Sequence, residues 1–409
     1  MRGLSKYGHS QLGSLWRTQS AHPRAVAPIF SFQQYRYKAT IPGVENATQA
    51  NIIDAIRTEL VARPPQIHYD MMYPLNSHLL TKALSDFFPK GFFEKRRIPH
   101  ERVYRNKDDT GGEPLPLSPG HHFVYFPLHL RSSELCPDGT DPYHSPSGDA
   151  YKRRVWSGGS LLGFDGLALD DGPAVCIERI KGVHGRGPEG AEKIFVDVLR
   201  EYITKADFDY RYDPEGMRLL PHGHPSLRKV APESRPGVSK CITERRTLVF
   251  MRMTTEKERT FNIKHDPQPV SAPNAAEWFI TVTPTQALLF QFSALTYNAH
   301  KIHLDRAYCR NVEGYRGQLV QGPLSVLLMI SALQSRLADD EIIETLNYRL
   351  LVPLYVDEPL RICIAMLKVR IGDDGRERKM WDVWIQKKGN SLCVRASFGT
   401  VKGVAALPS

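Results

Sequence analysis

The chain has 409 residues, of which 41% are hydrophobic and 24% charged, the composition of an ordinary globular protein long enough for two domains or one doubled domain. No apolar run reaches the about 18 residues a membrane helix needs, which excludes that class. The six cysteines, Cys136, Cys176, Cys241, Cys309, Cys363 and Cys393, contain no CxxC pair. Their scatter argues against a structural zinc site and a disulfide framework, and they read as core residues in a reducing compartment.

The net charge of +10 invites a nucleic-acid reading, but the surplus is uneven. Residues 1–44 hold no Asp or Glu, while Arg2, Lys6, Arg17, Arg24, Arg36 and Lys38 are all basic, so without residues 1–38 the balance falls from +10 to +4. An acid-free start rich in Arg, Ser and Gln, lacking a long apolar stretch, has the makeup of a mitochondrial transit peptide rather than a secretory signal. Cleavage is expected between residues 36 and 40.

Beyond it, residues 48–62 place Ile52, Ile53, Ile56 and Leu60 at helical spacing until Pro64 and Pro65 stop the pattern. Charges and prolines dominate residues 63–119, and HHFVYFPLHL then reads as a short strand. Strands follow over 173–183 and 193–204, separated by HGRGPEG, which formally contains GxGxxG. A dinucleotide site needs an apolar strand before that motif and a helix after it. Here Glu178, Arg179 and Lys181 crowd the strand and Glu189 would sit beside the phosphates, so the segment reads as a glycine-rich hairpin. Residues 205–240 read as an irregular insertion whose His222 and His224 are exposed loop residues, and 243–253 as another strand.

The final third is more legible. Residues 286–292 read as a strand and 293–321 as an irregular polar segment. Gly322-Pro323 then opens a helix, PLSVLLMISALQSRL, apolar around almost its whole circumference and therefore buried on nearly all sides. Four alternating segments come next, with apolar residues at 346–352, 362–366, 381–385 and 392–398. A buried helix followed by a meander of strands predicts an α+β, hot-dog architecture.

Within the irregular stretch lies SALTYNAHKIHLD, residues 293–305. Its His300, His303 and Asp305 are competent metal ligands, yet no periodicity makes the three converge. Taken alone, the segment reads better as a polar loop whose histidines bond nearby carbonyls than as a metal site.

The same residues resemble the hydratase 2 motif, S-G-D-x-N-P-x-H, of MaoC-like (R)-specific enoyl-thioester hydratases and dehydratases. Aligned on its last histidine, the motif sets His303 at the catalytic histidine and Asn298 at the usual aspartate; His300 falls on the asparagine and Lys301 on the proline. Residues 318–324, QLVQGPL, resemble the V-x-H-G-x-L start of the central helix, and residues 152–164, KRRVWSGGSLLGF, resemble the R-R-x-W-x-G-G stretch of a subgroup. That subgroup includes fungal mitochondrial hydroxyacyl-thioester dehydratase type 2 and mesaconyl-C4-CoA hydratases, and its loop S-A-L-T-x-N-x-H-x-I-H-x-D is reproduced in full from residue 293 to 305.

The resemblance implies a double hot dog, each half an antiparallel sheet wrapped around a central helix. Its parts would be a transit peptide over 1–38, a non-catalytic half over 45–255 and a catalytic half over 275–405. It further implies a hydro-lyase acting on (R)-3-hydroxyacyl thioesters in mitochondrial type II fatty acid synthesis, in the matrix. Asn298 and His303 would be catalytic, Gly322 and Gln321 would bind the substrate or its oxyanion, and His300 or Asp305 could supply an acid that an amide cannot. The expected partner is an acyl-carrier-protein-bound or CoA-bound acyl group, without cofactor, metal, nucleic acid or integral membrane segment, and a homodimer is one assembly the reading allows. Hydration of a small dicarboxylic acyl-CoA such as mesaconyl-C4-CoA is the alternative, with Arg306 and Arg310 as cations for its acyl end. A basic RNA-binding or scaffold protein is a third reading, and a thioesterase on the same fold a fourth. An RNA-binding surface would interleave aromatics with Lys and Arg on one sheet face, whereas these strands alternate mainly apolar residues.

Overall fold

In the computed structural model, residues 49–88, 115–164, 166–169, 172–212, 241–265, 267–273 and 275–402 are described. The first part of the chain runs α1 (Gln49–Val61), β1 (Gln66–Met71), α2 (Pro74–Ser85), β2 (Arg153–Leu162), β3 (Pro173–Arg186), β4 (Lys193–Thr204), α3 (Lys205–Arg211) and β5 (Ile242–Met251). The second runs α4 (Glu256–Lys264), β6 (Trp278–Val282), α5 (Gln286–Leu295), α6 (Lys301–Leu304), α7 (Gly322–Gln334), β7 (Glu341–Leu350), β8 (Leu360–Ile371), β9 (Glu377–Lys387) and β10 (Ser391–Lys402).

These strands form one antiparallel sheet in the order β1-β3-β4-β5-β2-β7-β10-β9-β8-β6. Strands β6 to β10 therefore repeat the order of β1 to β5 read from the opposite edge, and β2 joins β7 at the centre. That is a double hot dog. The junction is tight, because a Cβ on Gly158 would lie 2.7 Å from the Tyr348 carbonyl oxygen and one on Gly159 2.7 Å from the Tyr348 hydroxyl oxygen. The two glycines of the RRVWSGG stretch are thus what lets the two halves share one sheet.

Helix α7 begins with Pro323 in its first turn, where the missing N–H costs nothing. Residues 324–333 are all buried. They meet Leu346 and Tyr348 of β7, Ile362 and Ile364 of β8, Val383 and Ile385 of β9, and Val394, Ala396 and Phe398 of β10. At about 1.5–3 kcal/mol for each large apolar side chain taken from water, this helix and the face beneath it dominate the core. The alternation expected for the last four strands and the all-round apolar helix are both found here.

Residues 286–292 are helical in the structure rather than extended. Buried Leu288, Leu289 and Phe292 lie one and four apart, and Thr285 caps the helix by accepting the Leu288 N–H at 3.2 Å. A short apolar run does not reveal its period, so the cap decides. HHFVYFPLHL is likewise not a strand: Gly120 turns the chain at φ +84°, and His121–Val124 form a 3₁₀ turn. Strands β1, β2 and β6 and helices α2, α3, α4 and α6 were not foreseen, α3 and α6 falling in stretches read as irregular. The segment from His184 to Gly190 is a hairpin end, with Gly187 and Gly190 at φ +111° and +81°. Residues 1–48 and 213–240, with the expected transit peptide and His222 and His224, lie outside the described residues.

Candidate active site

Helix α5 ends at a turn in which Tyr297 takes a left-handed φ of 50°, and the Asn298 N–H donates back to the Ser293 carbonyl at 2.8 Å. The Asn298 side chain then folds over the next turn, its Oδ1 accepting the His300 N–H at 3.0 Å. That bond fixes the amide orientation and leaves Nδ2 as the donor for other partners. One turn on, in α6, the His303 ring nitrogen Nδ1 lies 2.8 Å from the Leu319 carbonyl oxygen. A carbonyl only accepts, so Nδ1 carries the proton and Nε2 is the basic nitrogen.

Leu319 is held in turn, its N–H donating to the Ile302 carbonyl at 2.9 Å. Three residues later the chain enters α7 at Gly322, whose N–H belongs to the first-turn donors a helix leaves unpaired. A Cβ there would come within 3.1 Å of the Trp156 side chain, so glycine lets the first half pack closely against the helix start. The His303 ring and the Gly322 N–H are therefore positioned by one short segment.

Asn298, His300, His303 and Gly322 line a cavity of about 790 Å³. Burial pushes the His303 pKa down to about 4, partly offset by the Leu319 carbonyl, so the ring is neutral near pH 7. Burial also holds His300 well below the usual histidine range, with the His303 ring 5.4 Å away in an edge-on contact adding to the effect. Its Nε2 is buried without a hydrogen bond, 3.6 Å from an Asp138 carboxylate oxygen.

The other expected site residues stand elsewhere. Asp305 is exposed, and its carboxylate caps the following turn by accepting the Tyr308 N–H at 2.9 Å. Arg306 and Arg310 are exposed too, Arg310 donating to the Arg316 carbonyl at 3.1 Å, and none of these three lines the cavity. Gln321 is fully buried behind it, donating from Nε2 to the Leu289 carbonyl and the Ser293 hydroxyl, both at 2.9 Å. It ties the end of α5 to the start of α7 and does not line the cavity.

The first half supplies the opposite wall, through Asp141, His144, Arg154, Trp156, Arg200 and Arg246. It also braces the loop from behind: the Asp138 carbonyl accepts the Lys301 N–H and the Pro137 carbonyl the Lys301 ammonium, at 2.8 and 2.7 Å. The family model for hydroxyacyl-thioester dehydratase type 2 matches residues 120–214 and 224–356, more than half of the chain and both halves of the sheet. The chain belongs to the hydroxyacyl-thioester dehydratase type 2 family. It is therefore a hydro-lyase.

The mitochondrial hydroxyacyl-thioester dehydratase type 2 of Schizosaccharomyces pombe is 29% identical over 255 residues, 61% of this chain and 78% of the relative. The mesaconyl-C(4)-CoA hydratase of Chloroflexus aurantiacus is 34% identical over 168 residues, 36% of this chain and 59% of the relative. Among solved structures, a MaoC-like dehydratase from Phytophthora capsici shares the fold with a TM-score of 0.51 at 9% identity, over 86% of this chain and 99% of that one.

The geometry also explains the RRVWSGG stretch of this dehydratase. Arg153 pairs with Glu313 at 2.6 Å across the halves, Arg154 pairs with Asp141 at 2.8 Å, and Trp156 backs Gly322. The first-half residues Asp141, His144, Arg200 and Arg246 were missed from the sequence, where they stood as single charges on strands and in a proline-bounded loop. Among the described residues no group of three or more His, Cys, Asp or Glu side chains is arranged to hold a metal.

Proposed function

We propose that the chain removes water from (R)-3-hydroxyacyl thioesters in mitochondrial type II fatty acid synthesis, with His303 as the base. The observation that carries this is the Nδ1–H bond to Leu319, which leaves Nε2 basic on a neutral ring lining the cavity beside Gly322. Nε2 takes the C2 proton, and negative charge moves onto the thioester oxygen, stabilised by the Gly322 N–H and the positive end of α7. The enolate then re-forms a double bond between C2 and C3 and expels the C3 hydroxyl, which Asn298 Nδ2 is placed to hold.

His303 also serves as the acid. The burial that keeps the ring neutral makes its imidazolium acidic, with a pKa of about 4, so the captured proton passes to the departing hydroxide and water leaves. This requires no proton exchange from Asn298 and no contribution from exposed Asp305.

The division of the chain at 1–38, 45–255 and 275–405, delivery by acyl-carrier protein and location in the matrix belong to this proposal; two yeast relatives named as mitochondrial support the compartment. Deleting residues 1–38 should abolish mitochondrial import and leave turnover intact. The decisive assay follows enoyl absorbance with crotonyl-CoA and an acyl-carrier-protein enoyl substrate; hydration is expected, and no change with either would refute the reading. Arg306 and Arg310 lie outside the cavity and lend no support to a dicarboxylic substrate.

A further inference from the structure

Asp138 belongs to the first half and meets the loop at 293–305. It sits in a tight turn, where the Gly139 N–H donates to the Cys136 carbonyl at 2.8 Å and the Cys136 N–H to the Thr140 carbonyl at 2.7 Å. The turn is pressed onto residues 299–301. Gly139, at φ +86°, comes so close that a Cβ there would lie 2.0 Å from the Ala299 carbonyl oxygen. The Asp138 carbonyl holds the Lys301 N–H, and one Asp138 carboxylate oxygen, Oδ2, faces the His300 Nε2 at 3.6 Å. Further along the turn Asp141 pairs with Arg154 and His144, and His144 with Glu178. The turn is thereby fastened to the band of paired charges, Glu178 with Arg200 and Glu244 with Arg246, that crosses β3, β4 and β5.

The Asp138 carboxylate has one oxygen committed and one free. Oδ1 accepts the Thr140 N–H at 3.0 Å and the Thr140 hydroxyl at 2.7 Å, which fixes the side chain. Oδ2 has no hydrogen bond among the described residues, and neither has the His300 Nε2 it faces, although both residues are buried. A carboxylate only accepts, so the two complete each other when Nε2 carries the ring proton. Their separation is that of a site without substrate, where catalytic hydrogen bonds are commonly long and tighten when the substrate arrives.

That proton placement fixes the other nitrogen. The His300 ring is neutral: burial, then His303 and Arg154, lower its pKa against the opposing pull of Asp141. A neutral ring protonated at Nε2 carries its lone pair on Nδ1. Nδ1 makes no hydrogen bond among the described residues, and since Nε2 is enclosed, the cavity that His300 lines meets the ring at Nδ1. The two histidines of the loop thus offer the cavity opposite nitrogens, His303 its Nε2 and His300 its Nδ1.

We propose that Asp138 is a positioning residue supplied by the first half, which sets the tautomer of His300 so that Nδ1 accepts a hydrogen bond from the C3 hydroxyl, or from the water that becomes it. The inference rests on the hydro-lyase reading above and deepens it. Asn298 Nδ2 gives that oxygen a donor, but the Asn298 Oδ1 is already taken by the His300 N–H. A hydroxyl held by a donor alone is free to turn, and the acceptor at His300 fixes its O–H bond. No proton is exchanged there. During elimination the C3–O bond breaks with its electron pair going to oxygen, the hydroxyl keeps its own hydrogen against Nδ1, and the second hydrogen of the water comes from Nε2 of His303.

Hydration of crotonyl-CoA by the full chain tests this. Asp138→Asn keeps an acceptor for Thr140 and the backbone carbonyl for Lys301, but turns an N–H towards His300, so the ring proton moves to Nδ1 and the acceptor is lost. The kcat should fall by about ten- to a hundredfold, the scale of one charge-assisted hydrogen bond, with KM little changed because an enoyl thioester has no hydroxyl to bind. In a His300→Ala background the same substitution should change kcat by less than about twofold, whereas a residue needed only for the fold would lower it again by its full factor. Additive losses, or an Asp138→Asn enzyme with wild-type kcat, overturn the proposal.

A second readout needs no turnover. Heteronuclear NMR spectra of the histidine-labelled chain, with the His300 signals assigned by their loss in His300→Ala, should place the proton on Nε2 in the wild type and on Nδ1 in Asp138→Asn. A wild-type ring protonated at Nδ1 overturns the assignment whatever the activity, and the expected exchange of nitrogens supports it even where His303 proves not to be the base.

Discussion

The two halves of the sheet share one strand order and differ in what they enclose. In the second half the inner face is apolar along its length and α7 lies across it. In the first, α1 covers only the hairpin end, where Ile56 and Leu60 meet Val183, Ile194 and Val196, and aromatic residues around Tyr202 and Phe126 fill the other end. Between them runs the Arg–Glu band. Among the described residues no helix of α7's kind lies on the first half, whose middle forms the wall of a cavity, so one topology yields a packed core on one side and a cavity wall on the other. The lesson is that duplication supplies the scaffold while occupancy of the inner face decides the role.

The comparison is tested most strongly at the base. His303→Ala should lower kcat by about 10²–10⁴-fold with little change in thioester affinity, because general-base catalysis acts on the transition state. Retained activity would remove the second half's claim to the chemistry.

Stability should then fail differently in the two halves. Glu178→Ala leaves Arg200 and His144 without their shared partner and should cost about 3–5 kcal/mol, as breaking a buried ion pair does. Leu328→Ala, in the fully buried core of α7, should cost about 2–5 kcal/mol through its cavity. Urea unfolding measures both, and replacing the Glu178–Arg200 pair by Met residues should recover much of the first loss, whereas a second apolar deletion beside Leu328 recovers nothing.

Titration gives a smaller, signed difference. His303 and His122 are buried with pKa values lowered to about 4 and about 3, so the unfolded chain binds their protons more readily. Their contribution to stability is present above the ordinary histidine pKa of about 6.5 and is lost as pH falls from there through 4. His144, raised to about 9, has the opposite sign: it stabilises below about 6.5, and that contribution disappears as pH rises through 9. Unfolding free energy measured from pH 4 to pH 9 should fall at both ends, and His144→Gln should flatten the alkaline side. The kcat/KM of the free enzyme should keep its acid limb near pH 4, the value of His303.

The finest test is at the loop. Asn298→Asp preserves the acceptor for the His300 N–H and should stay within about tenfold of wild-type activity, while Asn298→Ala loses both that bond and the Nδ2 donor and should fall further. An inactive Asn298→Asp would show that the amide's N–H, rather than its position, is required.

Much of the second half was legible because its signals are local. Gly322-Pro323, the all-apolar run of α7 and the alternation from β7 to β10 each declare a period or a boundary within a few residues. The histidine pair at 300 and 303 was visible as residue types and, through its motif, as a site. The apolar run at 286–292 was misread because its period is ambiguous over seven residues, and only the Thr285 cap and packing chose the helix. Asp305, Gln321, Arg306 and Arg310 were drawn in by proximity in sequence, which does not say whether a side chain on a short turn faces inward or out.

The sequence by itself determined the buried helix and the last four strands of the second half and the residue types of the loop at 293–305, since each rests on spacing or on residue type. The tertiary structure alone decided which nitrogen of His303 is basic, because the Leu319 carbonyl comes from a segment 16 residues away. It alone decided that the far wall is charged, because Glu178, Arg200 and Glu244 are brought side by side by strand register across 66 residues of chain, and pairing between distant strands leaves no mark on the residues near each one.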